Sequence, residues 1–147
     1  MHSYYNDPEE TAKALDCNGW LHTGDLGSFD GSGYLCVVGR IKDIIVRGGE
    51  NISPSQIEAL LLEREEVQDV QCVGVPDRVH GEEIAAFVII REGCTMTENQ
   101  VKEYVGIHLA KYKIPKYVFF TDKFPVNAAG KVLKRELSKM AAAMIQK

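Results

Sequence analysis

Two apolar runs, residues 67–75 and 84–90, restrict the possible folds of this chain more than any other feature. Each has the length and the valine and isoleucine content of a buried strand, and Pro76-Asp77 and Gly81 separate them as turn signals. Such strands have to be covered, and the flanking sequence supplies helices. Ser53-Pro54-Ser55-Gln56 combines a serine cap, proline at the first helical position and glutamine at N3. Ile57, Leu60 and Leu61 then recur at helical spacing. Thr97-Glu98-Asn99-Gln100 repeats the capping form before a stripe of Val101, Tyr104, Val105 and Leu109. Residues 117–120 read as another strand, and Leu133, Leu137, Met140 and Met144 as the apolar face of a last helix. Upstream, residues 41–46 form a strand-like run closed by Arg47-Gly48-Gly49, a turn that permits positive φ.

From residue 44 the order is therefore hairpin, helix, strand, strand, helix, strand, helix. This predicts an α+β domain, a small mixed sheet packed with helices. The first 38 residues have another texture. Asn6-Asp7-Pro8, Asn18-Gly19, Asp30-Gly31 and Ser32-Gly33 break them into a short helix near residues 9–15 and short strands around 20–21, 26–29 and 34–38. They read as a short β-rich fragment too small to bury much core. The division is expected at residues 39–43, giving segments 1–43 and 44–147.

Composition excludes several classes. With 45% hydrophobic and 26% charged residues the chain is not wholly disordered. No apolar run approaches the roughly 18 residues of a membrane span, and the N-terminus lacks a signal-peptide pattern. A cytoplasmic protein is the expectation. Cys17, Cys36, Cys72 and Cys94 contain no Cys-x-x-Cys pair, and the four histidines are scattered, so neither a disulfide framework nor a metal cluster is read from them. Residues 111–147 hold nine basic against two acidic residues in a chain of net charge −4. A basic tail attracts phosphates; on charge alone a solvated helix with lysines near its C-terminus, favoured by the helix dipole, is the better account. Most of the tail's aromatics fall in the strand-like run 117–120 rather than between basic residues, which gives nucleic-acid binding little support.

Four local patterns can carry chemistry. Thr23-Gly24-Asp25 places a carboxylate after a glycine turn, suited to a ribose diol or simply to the turn itself. Arg40 follows Gly39, where a guanidinium can bond hydroxyls or phosphate oxygens, or pair with Asp43 or another acid. Arg47-Gly48-Gly49-Glu50-Asn51 allows a ligand close to the backbone, as a plain hairpin would. Pro125-Val126-Asn127-Ala128-Ala129-Gly130-Lys131 puts a lysine on an exposed turn before a helix, either a surface lysine or a mobile charge for a developing anion.

In this order, together with Leu21-His22, Ile41-Lys42-Asp43, Gly74-Val75-Pro76-Asp77, Gly81-Glu82 and Tyr112-Lys113-Ile114-Pro115, these segments resemble successive core motifs of the adenylate-forming enzymes. That group comprises acyl- and aryl-CoA synthetases, peptide-synthetase adenylation domains and luciferases. The resemblance covers nearly the whole chain. Two family motifs are absent from the 147 residues: the Ser/Thr/Gly-rich phosphate loop and the aromatic-Gly-x-Thr-Glu segment. The chain therefore resembles a C-terminal fragment, a lid domain preceded by the end of a larger N-terminal domain that holds the acid pocket.

The resemblance implies a reaction in which a carboxylic acid and ATP give an acyl-adenylate and pyrophosphate, and coenzyme A then releases AMP and the acyl thioester. It implies that Asp25, with Arg40, holds the ribose, and that Lys131 bridges the carboxylate and the α-phosphate. It implies that Asp43 is the hinge and that Arg47, Gly48, Gly49 and Glu50 line the CoA channel after rotation. ATP/AMP, CoA and magnesium are the implied cofactors, magnesium mainly in the missing domain. That parent N-terminal domain and a small carboxylic acid are the implied partners. The Gly-Gly-Glu-Asn-Ile-Ser-Pro form is similar to the CoA-ligase branch. The alternatives are a stand-alone CoA-binding or regulatory module and an adenylation domain of another branch. The Pro-x4-Gly-Lys pattern also resembles an acetylation site, where modification would remove the Lys131 charge.

Overall fold

The computed structural model describes residues 1–146. Its contacts divide the chain into two compact units, Met1–Lys42 and Asp43–Lys147.

The first unit contains α1 (Pro8–Ala14), capped by the Asp7 side chain accepting from Glu10 N–H, and a hairpin of β1 (Asp25–Phe29) and β2 (Leu35–Arg40). The expected strand at 20–21 is only a single bridge, Leu15 to Leu21. Asp16 explains this, because its carboxylate binds the N–H groups of Asn18 and Trp20 and closes a turn instead. No residue of this unit is buried; Trp20 is 74% and Phe29 74% exposed.

The run at 41–46 is not one strand. A 3-10 turn at Ile41–Asp43 interrupts it before β3 (Ile45–Arg47), which pairs with β4 (Glu50–Ile52). Gly48 and Gly49 have φ of 58° and 89°, the positive pair that a two-residue hairpin of type I′ demands. Helix α2 (Pro54–Leu62) follows, then β5 (Val67–Asp77) and β6 (Gly81–Ile90), antiparallel along nearly their whole length. The turn lies at residues 78–80, later than Pro76-Asp77, because Asp77 still pairs with Gly81 and its carboxylate collects the N–H groups of Val79 and His80. Helix α3 (Glu98–His108), β7 (Tyr117–Phe120), parallel to β6, and α4 (Lys134–Ile145) complete the unit.

The sheet order is β4-β3-β6-β5, with β7 also on β6, so β3 and β7 share one edge of β6 and β5 forms the other border. The middle of β5 and most of β6 are apolar because both faces are buried there. Val70, Cys72, Ile84, Ala86 and Val88 face Ile57, Leu61, Val101 and Val105 of α2 and α3. The alternate residues Val73, Val75, Ala85 and Phe87 face Leu137 and Ala141 of α4. The expected α+β class is thus the one observed, with helices on both faces.

Some side chains depart from expectation. The Thr97 capping box forms with both of its bonds. At α2 no side-chain cap bond forms; Gln56 instead accepts from Lys113 Nζ at 2.7 Å. On α4 the buried positions are Leu137 and Ala141, whereas Met140 and Met144 are 38% and 48% exposed. Among the described residues the last turn of α4 carries no basic residue, so none of them supports the dipole account of the basic tail; Lys147 lies outside the described residues. Lys134 and Lys139 are instead engaged by Glu58 and Glu136.

Candidate functional site

In the first unit, Gly24 (φ 76°) turns the chain so that Asp25 opens β1, with Thr23 Oγ1 accepting from Asp25 N–H. The ladder register sets Asp25 opposite Arg40, and Arg40 Nε stands 3.3 Å from Asp25 Oδ1. Arg40 therefore pairs with Asp25, not with Asp43. Both side chains remain partly exposed, at 44% and 35%, leaving acceptor and donor positions open to solvent. Asp43, half-buried, ends the 3-10 turn where the two units meet in sequence.

The Gly48-Gly49 turn is held from below. Gly48 N–H donates to the His80 carbonyl at 2.8 Å, and the only ladder pair between β3 and β6 is Arg47 with Gly81. Arg47 does not point outward. Its Nε lies 2.8 Å from Glu83 Oε2, and one terminal nitrogen donates to the carbonyl of Tyr112 at 2.7 Å. Glu83 is only 1% exposed. His80 Nδ1 stands 3.0 Å from its Oε1, and Lys116 Nζ 3.8 Å away. Lys116 makes its closer contact, 2.8 Å, with Asp77. That hydrogen bond, followed by those from His80 and Val79 N–H, holds the Asp77 carboxyl well below the usual carboxylate range and raises the Lys116 ammonium. Gly49 has open space around it, and Glu50 at the start of β4 is exposed.

Asp77, His80 and Glu83 bring ligand atoms within 4.8 Å of one another. Arg47 and Lys116 already neutralise their two carboxylates. A magnesium ion prefers an all-oxygen octahedron, so this trio does not fit one.

Lys131 sits on a turn closed by its own residues. Asn127 Oδ1 accepts from the N–H groups of Ala129 and Lys131, Asn127 N–H donates to the Lys131 carbonyl, and Leu133 N–H to that of Pro125. Gly130 takes φ 77°. Lys131 is exposed, and among the described residues its ammonium has no ion-pair partner. The base of the turn is fixed where α4 starts. Lys134 Nζ donates to Glu58 Oε1 at 2.8 Å, and Ser138 Oγ to the Gly74 carbonyl at 2.6 Å. Cys72 lies beneath, its thiol pushed up by burial and then by the Glu58 charge.

The sequence reading missed Glu83, His80, Lys116 and Glu58, and it gave Asn127, inside the segment it singled out, no role of its own. Glu83 was detectable, since it falls in register with Ala85 and Phe87 and so on a buried face.

The fold and these turns have counterparts among known proteins. The AMP-binding enzyme C-terminal domain family matches residues 56–131, and the chain belongs to that family. An oxalate–CoA ligase of Arabidopsis thaliana is 48% identical over 132 residues, 90% of this chain and 26% of that protein. The ATP-bound crystal structure of MatB from Rhodopseudomonas palustris superposes with a TM-score of 0.87 at 36% identity, covering 97% of this chain and 28% of that one. The amide bond synthetase McbA from Marinactinospora thermotolerans gives 0.88 at 35% identity, covering 96% and 28%. The chain thus spans about a quarter of the length of the proteins it matches. Among the described residues no helix is long and apolar enough to cross a membrane.

Proposed function

We propose that this chain is the C-terminal portion of an ATP-dependent acid–thiol ligase that converts a carboxylic acid to its acyl-adenylate and then to its CoA thioester. The observation that carries the reading is Lys131: an exposed ammonium with no ion-pair partner among the described residues, on a turn held by the Asn127 side chain and by backbone bonds of its own residues. Joining a carboxylate to a phosphate brings two anions together. A single ammonium between them, in a site closed to water, lowers that barrier. Asp25 and Arg40 hold the ribose hydroxyls as acceptor and donor. The Gly48-Gly49 turn, with no Cβ, lets the pantetheine thiol pass, and Asp43 is the pivot between the two arrangements. Magnesium, which helps neutralise the triphosphate, belongs to the larger N-terminal domain.

Support for that larger domain comes from the first unit, where Trp20, Phe29, Tyr34 and Leu35 are all more than half exposed. So much apolar surface is what a covering body would bury. The relatives' names include both a CoA ligase and an amide bond synthetase, so the acceptor is the point to test. In the protein joining this chain to its adenylating domain, Lys131→Ala should lower acid-dependent adenylate formation by about 10²–10³-fold. Thioester formation from supplied acyl-adenylate should persist. Equal loss in both half-reactions would remove the role given to Lys131, and transfer to amines but not to CoA would remove the thiol acceptor. The chain alone should release no AMP from ATP and acid.

A further inference from the structure

The β3–β4 hairpin is weakly tied to its sheet by backbone. One ladder pair and the Gly48 N–H bond to His80 join it to β6, and Val46 N–H reaches the Glu82 carboxylate at 2.7 Å. Ile45 and Ile52 seat the far end of the hairpin in the core, and the polar attachment at the Gly48-Gly49 end passes through Glu83. Its carboxylate is buried, and its two oxygens meet groups from three separate segments. These are Arg47 on β3, His80 in the β5–β6 turn and Lys116 before β7. Arg47 bridges onward to the carbonyls of Tyr112 and Ile114, and the ring of His80 lies 3.5 Å from where a Gly48 Cβ would be. Arg47 Nε stands 2.8 Å from Glu83 Oε2 without the alignment of a good hydrogen bond, so charge carries most of the hold. A neutral isostere cannot replace it.

We propose that Glu83 is a positioning residue for the Gly48-Gly49 turn, acting through Arg47 and His80, and that it serves the thioester half-reaction but not adenylation. The second part rests on the reading of the turn as the thiol's path. The selectivity follows from the separation of the two networks. The Lys131 turn is closed by Asn127 and anchored through Lys134, Glu58 and Ser138, none of which touches Glu83.

Two measurements test it. In the 147-residue chain, amide order parameters of Gly48 and Gly49 should fall from about 0.85 to below about 0.6 in Glu83→Gln, while the β5 and β6 amides stay near 0.85. His80→Ala, whose ring is half-exposed and whose loss the core tolerates, should loosen the same two residues to a smaller extent. An unchanged turn in a variant that folds overturns the proposal. In the two-domain protein, Glu83→Gln should slow thioester formation from supplied acyl-adenylate by about tenfold to a hundredfold and leave adenylate formation within about twofold of its starting rate. Matching losses in both steps would overturn the selectivity. A loosened turn with an unaffected thioester step supports the hold of Glu83 on the turn and refutes the thiol path itself.

Discussion

Truncating Glu58 should destabilise the second unit more than its surface position suggests, because this carboxylate covers the open border of the sheet. Strand β5 has no neighbour beyond β6, so alternate backbone groups face outward. Cys72 N–H is one of them; the residue is fully buried, and its outward bond goes to Glu58 Oε1 at 2.8 Å. Removing that acceptor strands a buried donor, at a cost of about 1–3 kcal/mol. The same oxygen takes Lys134 Nζ, with side chains 14% and 26% exposed, and a pair this close to solvent adds about 0.5–1 kcal/mol. Glu58→Ala should therefore cost about 2–3 kcal/mol, roughly 10 °C or more in Tm for a unit of this size. Glu58→Gln keeps an oxygen for Cys72 and should cost under about 1 kcal/mol. Urea unfolding followed by far-UV circular dichroism separates the two. Equal destabilisation by both variants would show that charge, not the strand's donor, is what Glu58 serves. An uncovered border also invites strand pairing between molecules, so Glu58→Ala should show a concentration-dependent sedimentation coefficient that Glu58→Gln lacks.

Asp77 should shape the acid limb of stability. Its folded carboxyl titrates below the unfolded value of about 3.9, so the stabilisation it gives is complete above that pH and is lost as pH falls toward the folded value. Asp77→Asn should be less stable near neutrality and flatter in its urea midpoint between about pH 4 and 2; parallel curves would contradict this. Leu137→Ala should cost about 2–5 kcal/mol and Met140→Ala under about 1, in thermal melts, because only Leu137 is sealed against Phe87 and Val75. At Gly49 the backbone has φ 89° and a Cβ would meet open space. An L-alanine there should lose about 1–2 kcal/mol, and a D-alanine placed by ligation should recover most of it. If neither isomer changes the melt, the strain argument fails.

Much of the second unit was legible because its signals are local. The runs at 67–75 and 84–90, the Thr97 cap and the glycine pair each fix their own geometry within a few residues. Failures came where a distant partner competes. Ser53-Pro54-Ser55-Gln56 has the form of a capping box, yet Lys113, remote in sequence, takes the Gln56 side chain. Periodicity put Met140 and Met144 in the core, but α4 lies on Phe87 and Val75 through Leu137 and the small Ala141, which lets the helix come close. At the candidate site, the residue types of the turns were readable from the chain, whereas their supports were not. Glu83 joins residues 36 apart in sequence, Arg47 and Glu83 themselves, and no spacing rule links them. The pairing of Arg40 with Asp25 likewise depended on the hairpin register, which a bulge between Leu26 and Gly27 resets.

The bonds that shape the Lys131 turn all lie within residues 125–133, from the Pro125 carbonyl to the Leu133 N–H. A segment so bonded has almost no loop-closure cost to recover from the rest of the molecule. It is portable: its geometry travels with its sequence rather than with its neighbours. The segment can be grafted between a strand end and a helix start in an unrelated scaffold and should keep its lysine displayed. The ammonium can likewise be carried through a large displacement of the whole unit without being reshaped on the way.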